Sequence, residues 1–313
     1  MQQANAPVVS APPDGRAGIT ADLVRQLIAA QFPQWEDLPI APVPVDGHDN
    51  RTYRLGTSMT VRLPTAEGYV PAVEKESRWL PRLAPHLPVA VPPILATGEP
   101  GEGYPYPWSV RGWLEGETAH PSRIDDMPAF AVQVAEFLLA LQRCEATGGP
   151  PGGAHSFHRG APLAHYDAET RRCLIALEDH LDTGAAAEVW QAALDSDWTG
   201  TPVWFHGDLA EGNMLVADGR LTAVIDFGTC GVGDPACDLV IAWGMFTGEA
   251  RDAFRAAFGG DRGMWARARG WLLWKSLLVL TWTLGSASVS DQKTAAECRR
   301  IITDLLSDHR RLA

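Results

Sequence analysis

The chain has 313 residues, of which 46% are hydrophobic and 20% charged, a balance typical of a soluble globular protein with one large domain or two lobes. Its net charge of −12 argues against a nucleic-acid partner, because phosphate binding usually requires a basic surface. An acidic surface would instead attract cationic small molecules.

The cysteines and the apolar segments of the sequence predict a cytoplasmic location. Five cysteines without a C-x-x-C pair argue against a disulfide framework or a zinc site, so we expect the reducing cytoplasm. The N-terminus lacks a basic stretch followed by an apolar run, which argues against a signal peptide. The most apolar segment, residues 271–285, is short of a membrane span and is interrupted by Lys275, so no membrane association is expected.

The first third of the chain is predicted to be rich in strands. Residues 1–17 are rich in Ala, Pro and Gly, and we expect them to be disordered. Thr20 is a candidate N-cap for the first helix. The first helix is predicted over residues 20–32. Two strands within 43–63, a helix over 72–83 and a strand over 108–114 follow it in chain order.

Beyond Gly112 the apolar spacing becomes helical, with one interruption. Helices are predicted over residues 127–144, 164–181 and 185–194 and again towards the C-terminus. Between them, residues 202–228 contain two apolar runs separated by Asp218-Gly219, which predicts a β-hairpin. We therefore expect an α+β protein: a lobe with a small sheet and one helix over residues 18–112, and a helical lobe over 113–313.

Three polar residues surround this hairpin. Asp208 and Asn213 belong to the stretch "FHGDLAEGNMLV" before its first strand, and Asp226 follows its second strand. A carboxylate and an amide oxygen are hard ligands that suit Mg²⁺. A second carboxylate could orient a hydroxyl group and accept its proton. Taken singly, each residue is more often a turn residue or a cap, but together they predict phosphoryl transfer.

The motifs "HGDLAEGN", "IDFG" and "GDPACDL" resemble those of the aminoglycoside phosphotransferase family, relatives of the protein kinases. The resemblance covers most of residues 20–290. It implies a two-lobed, protein-kinase-like fold with a small antiparallel-sheet N-terminal lobe and a larger, mainly helical C-terminal lobe. It also implies that Asp208 is the catalytic base, that Asn213 and Asp226 hold Mg²⁺, and that His206, Asp234 and Asp238 support the loop.

The resemblance extends to the nucleotide. It implies ATP or GTP as phosphoryl donor, with residues 109–112 acting as the hinge that offers backbone groups to the base. The residues predicted to contact the nucleotide are Asn50 of the phosphate flap, Arg62 with Glu76, and Ser109, Val110 and Arg111 of the hinge. Arg62 stands where a kinase has lysine, and a guanidinium can also grip phosphate and pair with a helix glutamate. Glu74 is the alternative to Glu76 as the partner of Arg62.

The acceptor is predicted to be a hydroxyl group of a small molecule, because five residues between Gly228 and "DPACDL" leave no room for a peptide-docking segment. The first choice is an aminoglycoside or related cationic antibiotic, which would make the chain a resistance enzyme. The alternatives are a macrolide, a sugar or amino-alcohol metabolite, or a pseudokinase module without turnover.

Acidic residues could meet a polyamine or form a solvated face: Glu211, Asp234 and Glu249. Tryptophans could line the substrate cleft, although most are expected in the core: Trp243, Trp265, Trp271, Trp274 and Trp282.

Overall fold

The computed structural model describes residue 16 and residues 18–44 and 46–312. The prediction of a disordered tail over residues 1–17 falls outside the described residues, except for residue 16. Contacts between Cα atoms divide the chain into two compact units. The N-terminal unit comprises residues 1–82 and 91–114, and the C-terminal unit comprises residues 83–90 and 115–313.

In the described part of the N-terminal unit, five strands form one antiparallel sheet. The strands are β1 (Ile40–Pro42), β2 (Asn50–Leu55), β3 (Met59–Pro64), β4 (Ile94–Gly98) and β5 (Trp108–Gly112), in the order β1-β2-β3-β5-β4. The core residues of β2 and β3 are spaced by two, Tyr53 with Leu55 and Val61 with Leu63, because successive side chains of a strand point to opposite faces. This gives the unit a core that includes Tyr53, Leu55 and Leu63.

Two helices accompany this sheet, α1 (Ala21–Gln31) and α2 (Val70–Leu83). They confirm the helices predicted over residues 20–32 and 72–83, although the predicted plan of this lobe counted only one helix. All of α2 but its last residue belongs to the N-terminal unit. The predicted cap of α1 is confirmed, since the Thr20 hydroxyl accepts the Leu23 N–H at 3.2 Å.

The C-terminal unit is mainly helical. Its helices are α3 (Met127–Arg143), α4 (Asp167–Ala176), α5 (Thr183–Leu194), α6 (Ile241–Gly244), α7 (Gly248–Phe258), α8 (Arg262–Thr283) and α9 (Val289–Leu312). The apolar segment at 271–285 lies mostly within α8 and is largely buried, as expected. Within the described ranges, no helix has the length and hydropathy that crossing a bilayer requires.

Short strands interrupt the helices of this unit. They are β6 (Glu117–Thr118), β7 (Val203–Phe205), β8 (Met214–Ala217), β9 (Arg220–Val224) and β10 (Gly231–Gly233). Among the described residues β6, β8 and β9 form one antiparallel sheet, and β7 pairs with β10 in another. The predicted hairpin is confirmed: β8 and β9 are joined by Asp218 and Gly219, with φ of 49° and 72°. The ends of β7, β8 and β9 carry the predicted catalytic residues.

Candidate active site

The loop after β7 is held by a buried histidine. The Nε2 atom of His206 lies 3.0 Å from the Ile225 carbonyl oxygen, and its Nδ1 atom lies 3.2 Å from the Asp208 backbone nitrogen. Neutral imidazole protonated on Nε2 satisfies both bonds, since Nε2–H donates and Nδ1 accepts. His206 therefore links the loop to the end of β9.

A buried carboxylate fixes the same loop from the other side. The two oxygens of Asp238 accept the backbone N–H groups of His206 and Gly207, both at 2.7 Å. Burial raises the pKa of Asp238, whereas the two backbone N–H donors act in the opposite direction. Asp234 caps the helical turn that begins at Pro235 and pairs with Arg267 at 2.6 Å.

Gly207 occupies a position that only glycine fills without strain. Its φ is +85°, and a Cβ atom there would lie 2.9 Å from the Thr229 carbonyl oxygen. Glycine therefore lets the backbone turn between His206 and Asp208.

Asp208 is in direct contact with Asn213. The Asn213 side-chain Nδ2 donates to the Asp208 carbonyl oxygen at 2.8 Å and lies 3.3 Å from Oδ2. Because Nδ2 serves Asp208, the amide oxygen of Asn213 is the atom that could bind a cation. The other carboxylate oxygen of Asp208 lies 3.5 Å from the Lys275 ammonium of α8.

The backbone also brings Asp226 to this loop. The Ile225 N–H donates to the Asn213 carbonyl oxygen at 2.9 Å, so Asp226 directly follows a residue that is bonded to the loop. Asp226 has φ of 66° and ψ of 61°, the left-handed region. Residues other than glycine adopt this region rarely, and Asp and Asn tolerate it best because their short polar side chains can form local hydrogen bonds.

The donor set fits magnesium better than zinc. Within the described ranges, no group of three His, Cys, Asp or Glu side chains could hold a metal. Mg²⁺ in phosphoryl-transfer sites needs only one or two carboxylates, together with phosphate oxygens and water. The Asn213 amide oxygen and the Asp226 carboxylate are ligands of that kind.

In the N-terminal unit, Arg62 and Glu76, which were predicted to lie beside the phosphates, form a charged cluster with Arg111. Arg111 of β5 makes two bonds to the Glu76 carboxylate, at 3.0 and 2.7 Å, and its Nε donates to the Ser109 hydroxyl at 2.9 Å. The side chains of Arg111 and Glu76 are 3% and 2% exposed. Arg62 of β3 is more distant, with Nη1 4.0 Å from Glu76 Oε1. Glu74, the alternative partner, is exposed.

The backbone role predicted for Ser109, Val110 and Arg111 does not fit their position. These residues lie inside β5, which pairs with β3 on one side and β4 on the other. The backbone groups of a strand flanked on both sides point alternately at its two neighbours. They are therefore not available to a nucleotide base.

Asn50, the residue predicted to belong to the phosphate flap, lies at the start of β2. Asn50 is 8% exposed and lies opposite Pro64. Asp46 organises the turn before it, accepting the Thr52 N–H at 3.0 Å and the Arg51 guanidinium at 2.9 Å.

Burial decides which of the tryptophans and acidic residues proposed for substrate contact are accessible to a substrate. Among the five tryptophans named above, all in the described ranges, four are buried and Trp282 is 64% exposed. Asp234 is buried with Arg267 and cannot meet a substrate. Glu211 is partly buried, and burial is the main cause of its raised pKa, whereas Glu249 is exposed.

A family model described as the phosphotransferase enzyme family, APH, matches residues 40–271. The chain belongs to this family. The resemblance noted in the sequence is thus confirmed, and this phosphotransferase is an enzyme, a kinase of small molecules. No curated protein matches its sequence.

Solved structures share the fold of this phosphotransferase. The GDP complex of aminoglycoside 2'-phosphotransferase-IIIa is 20% identical, with a TM-score of 0.64 over 93% of this chain and 100% of that one. The streptomycin–ATP complex of APH(2")-IIa is 17% identical, with a TM-score of 0.57 over 92% and 98%. Macrolide 2'-phosphotransferase MphH from Brachybacterium faecium is 25% identical, with a TM-score of 0.59 over 88% and 98%. The phosphotransferase therefore has the protein-kinase-like fold that was predicted.

Two contacts of this site were not anticipated from the sequence. Lys275 was noted as an interruption of the apolar segment 271–285, yet nothing in that segment indicates Asp208 as its partner. Arg111 was expected to contribute its backbone, whereas the structure uses its side chain. The signal in the second case is an arginine within an otherwise apolar strand, since a buried charge needs a partner.

Proposed function

We propose that the enzyme transfers the γ-phosphoryl group of ATP or GTP to a hydroxyl group of a small molecule. The observation that carries this proposal is the contact between Asp208 and Asn213 in a loop fixed by His206 and Asp238. Such a loop holds a carboxylate in place for a hydroxyl group, and fixed geometry supplies most of the catalysis in phosphoryl transfer.

Asp208 is the proposed base. It aligns the acceptor hydroxyl, whose oxygen forms a bond to the γ-phosphorus as the bond to the bridging oxygen of the donor breaks. The hydroxyl proton passes to Asp208, and the nucleoside diphosphate leaves. Asn213 and Asp226 are the proposed ligands of Mg²⁺, which would neutralise phosphate charge when bound.

The N-terminal unit supplies the proposed contacts to the donor. Arg62 would bind phosphate oxygens, with Glu76 beside it, and Asn50 belongs to the proposed flap. The base would meet backbone groups after Gly112. Relatives of the same fold are complexes with GDP, ADP and ATP, which supports a nucleotide donor. A nucleotide donor and buried cysteines that form no disulfide within the described residues support a cytoplasmic location.

The acceptor is proposed to be an antibiotic or a metabolite of similar size. Relatives of the same fold are complexes with kanamycin, streptomycin and gentamicin, and others are macrolide phosphotransferases. The first choice from the sequence, a polycationic aminoglycoside, retains Glu211 and Glu249 as acidic contacts but loses Asp234, which is paired with Arg267. A pseudokinase is disfavoured because Asp208, Asn213 and Asp226 are all present.

Phosphorylation of a compound panel tests this function. Purified enzyme is incubated with Mg²⁺, ATP or GTP, and antibiotics and hydroxylated metabolites, and mass spectrometry detects the added phosphoryl group. Asp208→Asn should lower the rate by a factor of about 10² to 10⁴ while the protein stays folded. Asp218→Asn, in the hairpin turn, is the matched control and should leave the rate unchanged. An undiminished rate in Asp208→Asn would remove the base from the mechanism.

A further inference from the structure

A cavity of about 430 Å³ lies within the C-terminal unit, among helices α5, α7, α8 and α9. Its basic lining residues are Arg255 of α7, Arg262 and Arg269 of α8, and His309 of α9. None of the described residues that line it is acidic. Its volume is that of a small-molecule site. This space is called the arginine cavity below.

The arginines around this cavity share a single buried carboxylate. The side chain of Asp308 is fully buried, and Arg255 binds its two oxygens at 2.9 and 2.6 Å. Arg269 and Arg311 add further bonds to it, at 3.3 and 2.8 Å. One negative charge therefore meets three positive charges, and Arg262 brings a fourth to the cavity wall.

Two further carboxylates near the cluster do not remove this excess. Asp261 caps α8 and accepts the Met264 N–H at 2.7 Å. Glu188 favours the charged form of His309, but burial and the charge of Arg269 outweigh it and lower the pKa of that histidine. With Asp308, the three carboxylates face four arginines, so the region keeps a net positive charge.

Arg269 is the buried group whose charge is least compensated. Its side chain is 6% exposed, and its Nε atom is buried without a hydrogen-bond partner in the described part of the chain. Burial lowers the pKa of Arg269; Arg255 and Arg262 act in the same direction, and Asp308 opposes them. A buried donor without a partner costs stability, and guanidinium groups bind oxyanions strongly. An anion in the cavity would therefore stabilise Arg269.

Another part of the cavity wall is apolar. It is formed by Ala192 of α5 and by Trp265 and Ala266 of α8. The Trp265 ring lies beside Arg255, whose Cζ atom is 5.0 Å from the ring centroid, and its indole N–H already donates to the Gly259 carbonyl oxygen at 2.9 Å. An aromatic surface next to guanidinium groups suits a ligand with an apolar body and a negatively charged end.

We propose that the arginine cavity binds a small organic anion, with a phosphate or carboxylate group at Arg262 and Arg269 and an aromatic body against Trp265. The site is separate from the proposed catalytic loop. Arg262 and Lys275, which contacts Asp208, are thirteen residues apart on α8, about 20 Å along its axis. The inference therefore goes beyond the proposed function and does not depend on it.

Calorimetric titration of the full-length protein, without nucleotide or metal, tests this site. The probes are 1-naphthyl phosphate, 1-naphthoate, inorganic phosphate and the cation 1-naphthylmethylamine. At least one naphthyl anion should bind at one site per chain, at least tenfold more tightly than inorganic phosphate and the amine. The tighter of the two anions identifies the preferred charged group.

Two variants remove the proposed contacts. Arg262→Gln and Arg269→Met should each weaken the naphthyl anion by about tenfold or more, because hydrogen bonds between charged groups are lost. Asp308 keeps Arg255 and Arg311 in the second variant, so its thermal unfolding temperature in anion-free buffer should not fall. A purely structural role for Arg269 would lower that temperature instead and would overturn its assignment to the anion.

Two control variants locate the bound anion. Arg172→Gln changes an exposed arginine of α4, and Arg62→Gln changes the proposed donor site in the N-terminal unit; both should keep the wild-type affinity. The inference is overturned if neither naphthyl anion binds, if the amine or inorganic phosphate binds as tightly, or if Arg262→Gln retains full affinity. A loss confined to Arg62→Gln would place the anion at the donor site and would equally refute it.

Discussion

Replacing Arg111 by methionine removes one partner of a buried ion pair. The Glu76 carboxylate, 2% exposed, would lose bonds of 3.0 and 2.7 Å, and Arg62 Nη1 would remain 4.0 Å from it. Breaking a buried pair in this way typically costs 3–5 kcal/mol, because a charge remains without compensation in a medium of low polarity. Since Arg62 stays nearby, we expect a loss at the lower end, about 3 kcal/mol.

Chemical denaturation, with hydrogen exchange of the β3 and β5 amides, measures this loss in the N-terminal unit. Arg25→Met is the control, because Arg25 and Asp22 form an ion pair with side chains 54% and 84% exposed. That variant should change stability by no more than about 0.5 kcal/mol. The double variant Arg111→Met with Glu76→Met should regain most of the loss, since apolar side chains can replace a buried pair. Equal effects of Arg111→Met and Arg25→Met would refute this reasoning.

Three further predictions concern the C-terminal unit. Gly207→Ala should lower kcat and cost about 1–3 kcal/mol in thermal unfolding, because its φ is +85°. Asp238→Asn leaves one loop N–H without a carboxylate oxygen, so kcat should fall and stability should drop by about 1–3 kcal/mol; unchanged kinetics would argue against a positioning role. Burial and the stacked His165 lower the pKa of His158, so the folded protein resists protonation there and stability should be lost as pH falls below about 6.5. Unfolding between about pH 7 and pH 5 should become less pH-dependent in His158→Asn, and an identical slope would contradict this.

Local signals predicted the elements that carry the site. The Asp218-Gly219 pair specifies a hairpin through the backbone angles that its two residues accept, and the flanking apolar runs fix both strands. Asp208, Asn213 and Asp226 were predicted as site residues because each stands near a strand end within a short stretch of chain. Such features depend on residues close in sequence.

Contacts between distant segments could not be predicted in the same way. The apolar pattern of residues 108–112 indicates a strand, but it does not show that β3 and β4 flank it and occupy its backbone groups. The burial of the tryptophans in α8 was equally ambiguous. That helix is apolar around most of its circumference, so periodicity does not distinguish the buried Trp271 and Trp274 from the exposed Trp282.

The left-handed backbone at Asp226 limits how an inactive reference protein can be made. Alanine, the usual choice, would lose the carboxylate and with it the short polar side chain that lets Asp tolerate this conformation, which costs other L-residues roughly 1–2 kcal/mol. An activity lost in Asp226→Ala would then combine a missing ligand with a distorted chain. Asparagine accepts the same angles, so Asp226→Asn changes the charge while keeping the path of the backbone.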